Sequence, residues 1–121
     1  MSEKPKMLAG AIYDPADPEI QADQLAAQKW LARYNALLGE TADVRHKLLT
    51  EGLAEVGAGV EVRPPFYCDY GYNIRLGERV FMNFNCVILD VTPVSIGPRT
   101  LIGPAVQILA ADHPRAAPCP G

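Results

Sequence analysis

Few residues of this 121-residue chain pair a reactive side chain with a setting that can use it, and His113 leads them. It stands in Ala110-Ala111-Asp112-His113-Pro114. An imidazole has an unperturbed pKa of roughly 6.5, so near neutral pH it can take a proton from an alcohol and hand one to a thiolate leaving group. Pro114 lacks a backbone donor and interrupts a strand ladder, which predicts a turn facing a cleft for His113. His46 lies amid the charged side of a helical stretch and reads as a surface histidine. Asn83 and Asn85 flank Phe84, and strand geometry would put both amides on one side and the ring on the other. Amides donate and accept, so they suit a hydroxyl-rich ligand or the backbone of an adjoining subunit equally well. Asp17, Asp69 and Asp90 stand near apolar or aromatic residues, a setting that suits polyol hydroxyls. There is no Gly-rich phosphate loop, nucleophile elbow or metal cluster, so covalent and metal mechanisms have no support and no metal is expected.

The elements that must position these residues show in a period of six. Tyr70, Leu76, Met82 and Ile88 are large and apolar, and after a two-residue slip at Pro93 the series resumes at Ile96, Ile102 and Ile108. Six residues fit neither a helical turn nor a single extended strand, but a strand plus a turn returns the same side chain to the interior. The fifth position of each hexad is small or β-branched (Val80, Cys86, Thr100, Val106), so two side chains per rung point into a tight triangular core. Glycine is frequent at position two and suits a corner whose φ other residues resist. Three rungs close one coil of a β-helix. A β-sandwich fits less well, because Asn83, Asn85 and Asp90 would interrupt its alternation.

Before the repeats the periodicity is helical. Ile20, Leu25, Trp30, Leu31, Tyr34 and Leu37/Leu38 predict an amphipathic helix from Pro18 to Leu38, with Asp17 as its cap and Pro18 in its first turn. A second helix is expected after a Thr41 cap, with Val44, Leu48, Leu49, Leu53 and Val56 on one face and Gly57 and Gly59 ending it. Met7 to Gly10 predicts a further short turn. Such an arm would cover the open first rung, as the end of a solenoid requires. The expected organisation is a helical arm over residues 1–59, β-helix coils over 60–113 and an irregular Pro-rich tail over 114–121.

A net charge of −3 with 21% charged residues suits one soluble globular domain and offers no basic patch for nucleic acid or anionic membrane. Neither a leader nor an apolar span is legible, so a cytoplasmic location is expected. Cys68, Cys86 and Cys119 lack paired spacing and are expected to be reduced thiols.

Several separate motifs now fall in one order. Lys6-Met7-Leu8-Ala9-Gly10 with Tyr13-Asp14-Pro15, Arg63-Pro64-Pro65-Phe66 through Cys68-Asp69-Tyr70-Gly71-Tyr72-Asn73-Ile74, Asn83-Phe84-Asn85-Cys86-Val87-Ile88-Leu89-Asp90 and Asp112-His113-Pro114 together resemble the maltose and galactoside O-acetyltransferases. The resemblance runs from about Lys6 to Arg115. It implies a left-handed parallel β-helix, a homotrimer with active sites between subunits, and transfer of acetyl from acetyl-CoA to a sugar hydroxyl. By position it implies His113 as catalytic base, Asn83 as an active-site amide, and Asp69 and Asp90 as acceptor-side residues, with Asp17 a looser match. The tail from Pro114 to Gly121 continues no hexad and reads as a truncation of the family pattern. A catalytically inactive remnant that only folds or assembles is therefore the alternative function, and a γ-type carbonic anhydrase, which needs zinc-binding histidines, is a third.

Overall fold

The computed structural model describes residues 3–110. Helices α1 (Lys4–Leu8), α2 (Pro18–Asn35) and α3 (Ala42–Gly52) precede the strands β1 (Glu55–Val56), β2 (Glu61–Val62), β3 (Phe66–Cys68), β4 (Ile74–Leu76), β5 (Phe81–Met82), β6 (Cys86–Leu89), β7 (Val94–Ile96), β8 (Leu101–Ile102) and β9 (Gln107–Leu109). Successive strands never pair with each other. They join three parallel ladders, β1-β4-β7, β2-β5-β8 and β3-β6-β9, which are the three sides of a parallel β-helix.

Val56 pairs with Leu76 and Leu76 with Ile96, so one coil uses 20 residues. Two sides take six residues each and the third takes eight, because the stretches after β3 and β6 carry two more. The slip at Pro93 is thus no isolated event; it recurs between Cys68 and Leu76. The register therefore corrects one expected core position. Cys68, and not Tyr70, pairs with Ile88. Tyr70 packs instead in a second apolar cluster with Met7, Ile20 and Val91, beneath the arm. Of the other expected inward positions, Leu76, Val80, Met82, Cys86 and Ile88 are buried, Ile96, Ile102 and Ile108 are partly buried against the same core, Thr100 is half-buried and Val106 is exposed; Val60, Val62 and Phe66 extend the column into the first coil.

The glycines at position two serve a purpose other than the one their frequency suggested. The left-handed residue of each corner is at position four, where Gly59, Arg79, Asn85, Arg99 and Ala105 have φ between 58° and 71°. Position two is governed by the coil above. A Cβ on Gly57 would lie 2.5 Å from the Glu78 nitrogen, and one on Gly77 2.7 Å from the Pro98 nitrogen. Close stacking of backbones, not corner geometry, selects glycine there.

The arm closes the exposed edge of the first coil with side chains. Asn35 donates to the Phe66 carbonyl at 2.9 Å and accepts from its N–H at 2.8 Å, replacing a missing strand. The Tyr34 hydroxyl donates to the Val62 carbonyl at 2.5 Å, and His46 Nε2 lies 3.0 Å from the Gly57 carbonyl. Arg45 adds an ion pair to Glu61 at 2.9 Å. Each side of the triangle is thereby covered, and His46, read from sequence as a surface residue, is half-buried in this closure.

Asp17 caps α2 as expected, its carboxylate accepting from the N–H groups of Glu19 and Ile20 at 3.1 and 3.3 Å. The helix stops at Asn35, because that residue is used at the β3 edge. Thr41 stands at the N-cap of α3 without a side-chain cap bond. The helix ends at Gly52, not at Gly57: a Cβ on Gly52 would meet the Trp30 ring at 2.1 Å, and Val56 pairs in β1. Strand pairing overrides helical periodicity over Leu53 to Val56, so the coils begin inside the stretch assigned to the arm.

Stacking at position two can be tested by matched substitutions. Gly77→Ala should lower stability by about 1–3 kcal/mol through overpacking against Pro98. Gly39→Ala, in the α2–α3 connection where a Cβ meets nothing within 4 Å among the described residues, should change it by less than about 0.5 kcal/mol. Urea unfolding midpoints of the two variants provide the check, and equal midpoints would remove the stacking explanation.

Candidate functional site

The candidate residues fall on two different corners of the coil. Asn83 sits at the second corner, which follows β2, β5 and β8. Asp69 and Asp90 sit at the third, which follows β3 and β6. Asp17 belongs to the arm, and His113 lies outside the described residues.

The second corner is a turn and not the strand expected from the Asn83-Phe84-Asn85 alternation. Asn85 has φ 63°, which ends strand geometry there. Asn83 is held twice: its N–H bonds to the Ile102 carbonyl at 3.0 Å, and its side-chain oxygen accepts from the Phe84 N–H at 2.8 Å. That second bond fixes the amide plane and leaves the side-chain NH₂ without a hydrogen-bond partner among the described residues. A half-buried donor fixed in direction suits an oxygen ligand.

The third corner is organised by Asp90, whose side chain is wholly buried. One carboxylate oxygen accepts from the N–H groups of Asp69 and Tyr70 at 3.1 and 2.9 Å, and the other from those of Gly71 and Asn73 at 2.8 and 3.2 Å. Burial raises the Asp90 pKa above the ordinary carboxylate value, while the same N–H donors pull it down. Asn73 completes the cradle by donating to the carbonyls of Asp90 and Val91 at 2.7 and 3.2 Å. With both oxygens engaged by the backbone, Asp90 shapes the loop that presents Asp69. It does not itself face a ligand, which departs from its expected acceptor-side contact.

Asp69 is only half-buried and stands beside aromatic groups. Tyr13, from the arm, packs on the Tyr70–Val91 cluster, and burial followed by the Asp69 charge raises its phenol pKa above the usual value. Tyr70 and Tyr72 stack with ring centroids 5.3 Å apart. The Tyr72 hydroxyl donates to Asp23 at 2.9 Å, and Lys4 pairs with the same carboxylate at 3.0 Å while lying 4.5 Å above the Tyr72 ring. Burial pushes the Tyr70 hydroxyl up to about 12 and the Cys68 thiol beyond its usual range, so neither is an acid or base near neutral pH. Among the described residues no group of three or more His, Cys, Asp or Glu is placed to hold a metal, and no helix is long and apolar enough to cross a membrane.

Three ladders of hexads on 20-residue coils, capped by helices at the amino-terminal end, define the hexapeptide-repeat class. Residues 6–57 match the maltose acetyltransferase hexapeptide capping motif. Nodulation protein L of Rhizobium meliloti is 63% identical over 113 residues, covering 93% of this chain and 62% of that protein. The crystal structure of a maltose O-acetyltransferase from Clostridium difficile superposes with a TM-score of 0.91 at 36% identity, over 97% of this chain and 63% of the other. A galactoside acetyltransferase in complex with coenzyme A gives a TM-score of 0.85 at 30% identity, over 94% and 57%. The chain is similar to the maltose and galactoside O-acetyltransferases of the hexapeptide-repeat class, and its coils form a left-handed parallel β-helix. It spans about three-fifths of the length of the nodulation L proteins of the two Rhizobium species it matches.

Sequence reasoning missed Tyr13, Asn73 and the Lys4–Asp23–Tyr72 group, since contacts between the arm and the third corner follow no period. It counted Arg63 only among five arginines, with Arg75, Arg79, Arg99 and Arg115, that leave room for a local anion site. Arg63 precedes Asn83 by one coil length, a signal that was present once 20 was recognised as the true repeat.

The Asp90 cradle predicts a large effect from an almost isosteric change. Asp90→Asn turns an NH₂ toward backbone N–H donors and should destabilise the fold by roughly 2–4 kcal/mol. Thermal or urea unfolding would show it, and a variant within 0.5 kcal/mol of wild type (about the noise of a surface substitution) would contradict the cradle.

Proposed function

We propose that this chain is the amino-terminal arm and first coils of an acetyl-CoA-dependent O-acetyltransferase that acts on a sugar hydroxyl of the maltose, glucose or galactoside type. The observation that carries this reading is the fixed Asn83 amide, an oriented donor in a motif shared with the family. His113 is the general base, Asp69 and Asn83 bind the acceptor, Asp17 borders it from the arm, and Asp90 holds the loop.

In this mechanism the imidazole removes the acceptor hydroxyl proton as the oxygen attacks the thioester carbonyl. A tetrahedral oxyanion forms, the carbon–sulfur bond breaks, and the imidazolium returns its proton to the departing CoA thiolate. No acyl-enzyme is formed. A positioned base contributes about 10²–10⁴-fold, and donors at the oxyanion a few kcal/mol more.

Geometry supports a site made by more than one copy. On one chain the second and third corners are separated by β6, a four-residue strand spanning roughly 13 Å. A single attacking hydroxyl cannot touch both. Packing three copies so that the second corner of one meets the third corner of the next brings Asn83 of one copy to Asp69 of the next, with His113 supplying the base, in a soluble cytoplasmic homotrimer that engages neither nucleic acid nor membrane.

Two outcomes are expected of the intact protein with acetyl-CoA, a sugar panel and a free-thiol readout. His113→Ala should lower kcat by about 10²-fold or more while changing the acceptor KM little. Retention of most turnover would remove His113 from this role. Co-refolding inactive His113→Ala with inactive Asn83→Ala should restore part of the activity, because some seams then carry both native residues; no recovery would argue for a site within one chain.

A further inference from the structure

The register places Arg63, Asn83 and Gly103 at the same position of three consecutive coils. Val62 pairs with Met82 and Met82 with Ile102, so the residues that follow stack in a column with backbones about 4.8 Å apart. Hydrogen bonds lock that register, from the Arg63 N–H to the Met82 carbonyl at 2.9 Å and from the Asn83 N–H to the Ile102 carbonyl at 3.0 Å. The column therefore reads guanidinium, amide, glycine.

Arg63 is exposed, and its guanidinium carbon lies 4.2 Å from the centroid of the Phe84 ring. Phe84 follows Asn83, so the guanidinium is carried up one coil to the neighbourhood of the amide. No carboxylate among the described residues pairs with it, whereas Arg45, Arg75 and Arg99 each have one. A planar guanidinium stacked on a ring has lost much of its rotamer freedom and keeps a fork of N–H donors for two oxygens side by side. An arginine that only covered a phenylalanine would gain little from being unpaired.

We infer that Arg63 is a specificity-determining residue of the acceptor site, its guanidinium taking a pair of adjacent oxygens on the sugar while Asn83 holds the neighbouring hydroxyl. This rests on the acetyl-transfer reading above. The pair of oxygens is a vicinal diol in a neutral sugar or a carboxylate in a uronic acid, and both present the same two acceptors to the fork.

The test measures acceptor KM in the intact protein for methyl glucoside and for glucuronate, in wild type and in Arg63→Ala, Arg63→Lys and Arg63→Met. Removing the fork should raise the KM of the better acceptor by about tenfold or more, with a smaller effect on kcat. Lys keeps the charge and Met keeps contact with Phe84, and neither should restore the wild-type KM. A preference for glucuronate that disappears in all three variants assigns the carboxylate; a similar loss for methyl glucoside assigns the diol. Unfolding midpoints close to wild type would show that the fold is intact. A KM within twofold of wild type for both sugars in Arg63→Ala overturns the inference. Calorimetric titration of each sugar into the wild-type and Arg63→Ala proteins separates the two readings: sugar binding lost in Arg63→Ala with no turnover in wild type sinks only acetyl transfer, while absence of sugar binding to wild type sinks the role of Arg63.

Discussion

Strands of two to four residues cannot stand alone, and parallel stacking at a fixed 20-residue register is the constraint on which this molecule depends. Every backbone group in a strand looks to the coil above or below for its partner. Inward side chains then meet a copy of themselves: Leu76 lies over Val56, Met82 over Val62 and Ile88 over Cys68. A core of this kind is close to one-dimensional, since each layer answers only to its neighbours. Side chains at a corner are held by the same ladder, which is why the Asn83 amide can be fixed without a large surrounding shell.

The first layer has no coil beneath it. The arm takes over with Asn35, Tyr34 and His46 satisfying backbone groups of the three sides in turn. Apolar contact supplies the remainder, as Trp30, Leu31, Leu48 and Leu49 join the same cluster as the inward residues of the coils. The short α1 has a different task. Met7 packs against Tyr70 and Val91, and Lys4 reaches Asp23 beside Tyr72, so this helix braces the third corner where Asp69 is presented.

Much of this was legible in the sequence, for physical reasons that also mark where legibility stopped. A repeated apolar position survives in any single sequence, so the hexads, the inward column and the arm helices could be read. Asp17 and Pro18 announce their own helix start. The eight-residue side was harder, because Tyr70 is apolar and fell six residues before Leu76 by coincidence, which hid the first slip behind an apparent hexad. Gly77 and Asp90 could be named but not given their roles. One is selected by a backbone on the next coil and the other by four N–H groups about 20 residues earlier, and neither partner is visible in local spacing.

The eight-residue side has a consequence for how such a chain can diverge. Two sides are as short as a strand and a turn allow, and an added residue there would rotate every later side chain out of the interior. The third corner already bulges beyond the ladder, with its slack gathered around one buried carboxylate. Length can change at that corner while the coils keep their phase, so it is where this architecture can lengthen or reshape a loop beside Asp69 without refolding the stack.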